Sequence, residues 1–190
     1  MTSPYTIPNL LTGLRIVLIP VIVGLFYLPY GWGDIAAGLA FALAGITDTF
    51  DGYIARRTGQ VSPLGEFLDP VADKLIVATA LVLIVSRNHE WYVTLTAAVI
   101  IGREIAISAL REWMAQIGAS RSVAVHMLGK LKTVSQMIAI PFLLYDGRLF
   151  GLVDTRLWGS WLMYVAAVLT IWSMGYYLHK ALPEIRARTR

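Results

Sequence analysis

The sequence predicts an all-α integral membrane protein: six transmembrane helices in one bundle, with both termini in the cytoplasm. Three observations carry that expectation. The 190 residues are 57% hydrophobic and only 15% charged, with a mean hydropathy of +0.64, whereas a soluble domain holds about a quarter charged residues. The apolar residues gather into runs of membrane length, about 20 residues being enough to cross a bilayer. Lysine and arginine are divided unevenly between the connections, as orientation in a membrane requires.

The runs cover 8–30, 34–57, 65–87, 91–114, 124–146 and 157–181. The opening MTSPYTIPNL has neither a basic n-region nor a small-residue cleavage site, so no cleavable leader is expected. Span 1 gives way to the turn formers Tyr30-Gly31-Trp32-Gly33, span 2 to Thr58-Gly59-Gln60, and span 3 to Arg87-Asn88-His89. Span 4 ends in the longest polar break, AQIGASRSV over 115–123, and span 5 at Asp146-Gly147-Arg148. No internal repeat or low-complexity tract is evident, and a single domain over 1–190 fits. The absence of cysteine excludes disulfides and thiolate metal sites. The net charge of +4 is modest, and nothing in the pattern points to a nucleic-acid partner.

Six spans put both termini and the 2–3 and 4–5 connections on one side. That side carries Arg56, Arg57, Arg111, Arg121, Lys130, Lys132, Lys180, Arg186, Arg188 and Arg190. The other side carries Arg87, Arg148 and Arg156, and Arg15, Lys74 and Arg103 lie within spans. The cation-rich side is the cytoplasmic one. Tyr27, Tyr30, Trp32, Trp91, Tyr92, Trp158 and Trp161 fall near span ends, where aromatic side chains form interfacial belts.

Within this apolar chain, four aspartates stand at the facing ends of spans 2 and 3. The pattern is D-x2-D-G-x2-A-R-x8-G-x3-D-x3-D, through Asp48, Asp51, Gly52, Ala55, Arg56, Gly65, Asp69 and Asp73. Carboxylates in spanning segments are costly and mark functional sites. At about 100° per residue, Asp48 and Asp51 share a helix face with Gly52 and Ala55, with Arg56 at its edge. Asp69 and Asp73 form an i,i+4 pair, with Gly65 one turn earlier. A hairpin of helices 2 and 3 would bring the two faces together as an open, oxygen-rich pocket. Like charges so close need a cation, and all-oxygen ligation suits magnesium or manganese. Pairing of the aspartates with Arg56, Arg57 or Lys74 is the structural alternative, although small residues between carboxylates suit an ion-pair network poorly.

Matched at every position, this pattern resembles the signature of the CDP-alcohol phosphotransferase family, integral membrane enzymes that move a phosphatidyl or related group from a CDP-linked donor to an alcohol. The likeness extends through PNLLTGLRI (8–16), FLDPVADK (67–74), REIAISALREWM (103–114) and SVAVHMLGKLKT (122–133). Those segments point to the members that use CDP-diacylglycerol and glycerol 3-phosphate. The resemblance implies that Asp48, Asp51 and Asp69 bind Mg2+ or Mn2+ and that Asp73 is the general base and also a metal ligand; two such ions would clamp a phosphoryl displacement. It implies that Gly52, Ala55, Arg56 and Gly65 contact the CDP moiety, with Asn9 and Thr12 contributing. It also implies a homodimer in contact with membrane lipids, in the bacterial cytoplasmic (inner) membrane, with the active site facing the cytoplasm.

A phosphorylated acceptor needs cations. Arg103, Arg111 and Lys130 are the first candidates, with Lys132 and Arg121 behind them. Lys130 and Lys132 point to different faces of span 5, so at most one of them enters a pocket. Glu104 and Glu112 repeat the spacing of the arginines, and either could neutralise a neighbour. The aspartate pattern fixes only the donor chemistry, leaving inositol-phosphate, serine or cardiolipin-forming acceptors as alternatives. Divalent-cation transport is the alternative from another class. It sits poorly with carboxylates crowded at one end of their spans and with Arg56 beside them.

Overall fold

The computed structural model describes residues 7–58, 63–116, 118 and 127–188, and the side chains of 10–48, 65, 67–116, 118 and 129–185. These residues form six helices: α1 (Ile7–Phe26), α2 (Trp32–Thr58), α3 (Pro63–Arg87), α4 (Trp91–Gln116), α5 (Met127–Tyr145) and α6 (Thr155–Arg188). Each falls on one of the expected runs. α4, and α6 over Thr155–Ile185, are by length and composition apolar enough to cross a membrane, and Leu10–Phe26 is a shorter apolar helix. In α2 and α3 the acids and bases collect at the ends facing residues 59–62, which breaks the apolar stretch there.

Two boundaries differ from expectation. α1 stops at Phe26, short of 30, because Pro29 cannot continue a helix and disfavours helical geometry in Leu28. α6 runs seven residues past 181 even though it contains Pro183. Between α5 and α6 the chain also makes a small hairpin, β1 (Arg148–Leu149) against antiparallel β2 (Val153–Asp154). Phe150 and Gly151 both have positive φ, 52° and 72°, and the Leu152 N–H donates to the Leu149 carbonyl at 3.1 Å. Two successive positive φ angles in the three-residue loop 150–152 turn the chain back on itself between the paired strands.

The chain divides into two compact units, 1–88 with 137–160, and 89–136 with 161–190. In the first, α1 packs against both α2 and α3. α2 buries Ala37, Phe41 and Ala44, three or four residues apart, and leaves Ile35, Leu39, Leu43 and Ile46 exposed. Its Gly38 lies so close to α5 that a Cβ there would sit 2.9 Å from the Pro141 carbonyl oxygen. Arg87, at the end of α3, pairs with Asp34 of α2, donates to the Leu144 carbonyl of α5 at 3.1 Å, and lies 4.1 Å from the Phe26 ring centroid of α1. One guanidinium thus ties four helices at that end of the unit. In the second unit, Ile107 and Met114 of α4 form a core with Tyr177 and Ala181 of α6.

Candidate active site

In the first unit, three of the four signature aspartates converge on a residue of α1. Arg15 is 1% exposed. Its Nη1 lies 2.9 Å from Asp48 Oδ1 of α2 and also donates to Asp73 Oδ1 of α3, while Nη2 lies 3.5 Å from Asp69 Oδ1. One turn earlier on α1, the fully buried Thr12 donates its hydroxyl to Asp69 Oδ1. The geometry follows from helical periodicity, since Thr12 and Arg15 share a face of α1 and that face meets α2 and α3 together. The three carboxylates are 39–42% exposed, whereas the guanidinium beneath them is sealed from solvent. The cluster is therefore closed on the side of α1 and accessible on the other.

Three carboxylates and one guanidinium leave a formal charge of −2, which one divalent cation would cancel. The donors are all oxygen, as hard cations require. Among the described residues no three acids stand ready around a common empty point; what they surround is Arg15. The donor set and its charge fit a magnesium-type ion, although the guanidinium holds one oxygen of each acid. Gly65 is buried one turn before Asp69. Asp51, Gly52, Ala55 and Arg56 lie on α2 and Asn9 on α1, but their side chains fall outside the described ones.

In the sequence Arg15 stands out as a charge within a span and as part of the PNLLTGLRI segment, with no role attached to it. Its signal was nonetheless available: a lone guanidinium in an apolar run, one turn after Thr12, obeys the same rule that singled out the aspartates. The basic partners named as the structural alternative, Arg56, Arg57 and Lys74, do not include the one that the three aspartates share.

The candidate acceptor residues of the second unit form a cluster of their own. Arg103 of α4 is buried, donates from Nη2 to Ser173 Oγ of α6 at 2.9 Å, and has Nη1 3.3 Å from Glu104 Oε2. Lys132 of α5 is buried as well, with Nζ 2.5 Å from the same Glu104 oxygen. Arg111 donates from Nη2 to the Tyr177 hydroxyl at 3.3 Å. The Arg103 and Arg111 guanidinium carbons lie 5.7 and 5.3 Å from the centroid of the Tyr177 ring, which is itself buried. Three cations against one carboxylate leave +2. The Nε atoms of Arg103 and Arg111 are buried with no hydrogen-bond partner among the described residues. Of the two lysines, Lys132 enters this cluster and Lys130 is exposed. Glu104 is the neutralising acid, while Glu112 is exposed. Arg121 lies outside the described residues. Ser173 and Tyr177 were not anticipated.

A family model for CDP-alcohol phosphatidyltransferase matches residues 5–172. The chain belongs to that family. Curated relatives cover almost its whole length. A CDP-diacylglycerol–glycerol-3-phosphate 3-phosphatidyltransferase of Salmonella choleraesuis (strain SC-B67) is 51% identical over 177 residues, 93% of this chain and 95% of its own. A protein of the same name from Escherichia coli (strain K12) is 50% identical over 181 residues, 95% of this chain and 97% of its own. The family match spans α1, α2 and α3, which supply Arg15 and the four aspartates.

Proposed function

We propose that this protein transfers the phosphatidyl group of CDP-diacylglycerol to glycerol 3-phosphate, giving phosphatidylglycerophosphate and CMP. The observation that carries this reading is half identity, across more than nine-tenths of the chain, to proteins named for that reaction. It is a transferase of phospholipid biosynthesis.

Asp48, Asp51, Asp69 and Asp73 hold the divalent ions, a pair of Mg2+ or Mn2+. Bound there, the metal supplies charge neutralisation for the donor diphosphate and the departing CMP. Asp73 also accepts the proton of the acceptor 1-hydroxyl as its oxygen attacks the β-phosphorus, the one that bears the diacylglycerol. Thr12 orients Asp69 through its hydroxyl. Gly52, Ala55 and Gly65 let the CDP moiety approach the backbone, Arg56 takes a phosphate oxygen, and Asn9 lies on the same nucleotide side. Arg103, Arg111 and Lys132 are assigned to the acceptor phosphate, with Lys130 and Arg121 as outer cations. The +2 excess of the first three over Glu104 suits a phosphate dianion.

The setting of this chemistry is a six-span bundle over 1–190 in the inner membrane of a bacterium, dimeric, with the termini and the aspartate ends of α2 and α3 in the cytoplasm. The belt aromatics Tyr27, Tyr30, Trp32, Trp91, Tyr92, Trp158 and Trp161 are all exposed, as interfacial side chains should be. Large apolar residues such as Leu39, Leu43, Val168 and Trp172 also face outward, which suits lipid as the solvent.

The test is an acceptor panel with purified protein, CDP-diacylglycerol and magnesium. CMP release is expected with glycerol 3-phosphate and not with serine, inositol phosphate or phosphatidylglycerol. Release with one of those three and none with glycerol 3-phosphate would overturn the assignment.

A further inference from the structure

Arg15 has no place in the transfer step just described, yet it is the group around which Asp48, Asp69 and Asp73 are arranged. A guanidinium buried in an apolar helix is tolerable only when paired. Here the pairs come from two other helices, so α1, α2 and α3 meet at one charge. The arrangement has a consequence for cations. Each aspartate engages Arg15 through Oδ1, and a divalent ion among the same three acids must share their oxygens with a fixed positive charge a few ångströms away. Like charges at that range repel, and the repulsion is screened least on the α1 side, where the guanidinium is sealed from solvent.

We infer that Arg15 is a positioning residue, a built-in counter-ion that keeps Asp48, Asp69 and Asp73 together without metal and holds their affinity for a divalent ion down until the donor diphosphate arrives. The inference rests on the aspartates' being the metal site proposed above. Two effects follow from one charge. Without metal, the guanidinium offsets the repulsion among three carboxylates that would otherwise drive them apart. With metal, it opposes the ion, and the anionic diphosphate restores the attraction. Metal and nucleotide then bind cooperatively, each raising the affinity of the other by the same factor. Thr12, bonded to Asp69, keeps one acid in place whichever cation is present.

The experiment measures binding of Mn2+ alone, and of Mn2+ with saturating CDP, by the loss of the free-ion electron paramagnetic resonance signal. It uses the full chain in detergent, as wild type, Arg15→Gln and Arg15→Lys. For wild type, CDP is expected to tighten Mn2+ binding tenfold or more. Arg15→Gln is expected to bind Mn2+ alone at least tenfold tighter than wild type, with the effect of CDP reduced to threefold or less. Arg15→Lys keeps the charge and is expected within threefold of wild type in both measurements.

If Arg15→Gln, folded by circular dichroism and gel filtration, binds Mn2+ no tighter than wild type, the counter-ion role is overturned while the metal site stands. Should Arg15→Gln fail to fold, Arg15→Lys decides: a change of tenfold with the charge retained overturns the role, and wild-type behaviour supports it. No Mn2+ binding by wild type, with or without CDP, overturns the metal reading itself.

Discussion

At the scale of single residues, the two charged clusters assign different kinetic signatures to their members. In the proposed mechanism Asp73 of α3 takes the acceptor proton, a role confined to the transition state. Asp73→Asn is therefore expected to lower kcat for CMP release by at least a thousandfold, measured at saturating CDP-diacylglycerol and magnesium so that any loss of metal or donor binding is overcome. Residual turnover of a tenth or more would remove Asp73 as the base. Arg111 has a different signature, because a phosphate held away from the reacting atoms is held equally in ground and transition states. Arg111→Ala is expected to raise the KM for glycerol 3-phosphate tenfold or more with kcat within about threefold. An unchanged KM would take Arg111 out of the acceptor site. These residues differed in how legible they were. Asp73 could be read because its spacing from Asp48, Asp51 and Asp69 forms a pattern with a chemical meaning of its own. Arg15 sits in no comparable pattern, and only packing shows that its guanidinium reaches three acids. The choice between Lys130 and Lys132 depends on how α5 is rotated, a phase that the sequence leaves open until Glu104 is seen to take one of them.

At the scale of elements, the six helices were legible because each is a long apolar run closed by proline, glycine or charge. The hairpin at 148–154 was not, since strands of two residues carry no periodicity. Its signal was local: Gly151 follows Phe150, and a turn with two positive φ angles favours glycine at one of them. The contact of α2 with α5 was equally hidden. Gly38 reads as one more small residue in an alanine-rich helix, yet there is no room for a Cβ before the Pro141 carbonyl oxygen. That oxygen belongs to backbone and cannot swing aside, so α2 must move if the glycine is replaced. Gly38→Val is expected to destabilise the solubilised protein by about 1–3 kcal/mol, the usual range for overpacking, seen as a lower midpoint in thermal unfolding. Gly24, which has open space around its Cα, is the control: Gly24→Ala should leave the midpoint unchanged or raise it, because alanine favours the helix. Equal loss from both substitutions would show that close approach at Gly38 is not the cause.

At the scale of the whole molecule, the cations expected to set the orientation differ in what they touch. Two of the three arginines expected on the outer side are engaged within the fold. Arg87 pairs with Asp34 and the Leu144 carbonyl, and Arg156 donates to Asn88 Oδ1 at 3.0 Å and lies 3.9 Å from Asp146. Arginines held by partners within the fold count for less in the charge asymmetry from which a cytoplasmic side is expected. The same holds in reverse for Lys132 and Arg111, which are committed to Glu104 and Tyr177. Lys130 and Lys180 are exposed and preserve the asymmetry. Because the chain has no cysteine, topology can be read from single introduced thiols without a background to remove. His89 lies between α3 and α4, Leu152 on the hairpin, and Gln116 at the end of α4, and all three are exposed. In intact spheroplasts a membrane-impermeant maleimide is expected to label His89→Cys and Leu152→Cys, and to label Gln116→Cys only after permeabilisation. The reverse pattern would put the aspartate ends of α2 and α3 outside the cell, where a cytoplasmic phosphorylated acceptor could not reach them. Labelling of all three without permeabilisation would mean that 91–116 does not cross the bilayer, and the six-span arrangement would fall with it.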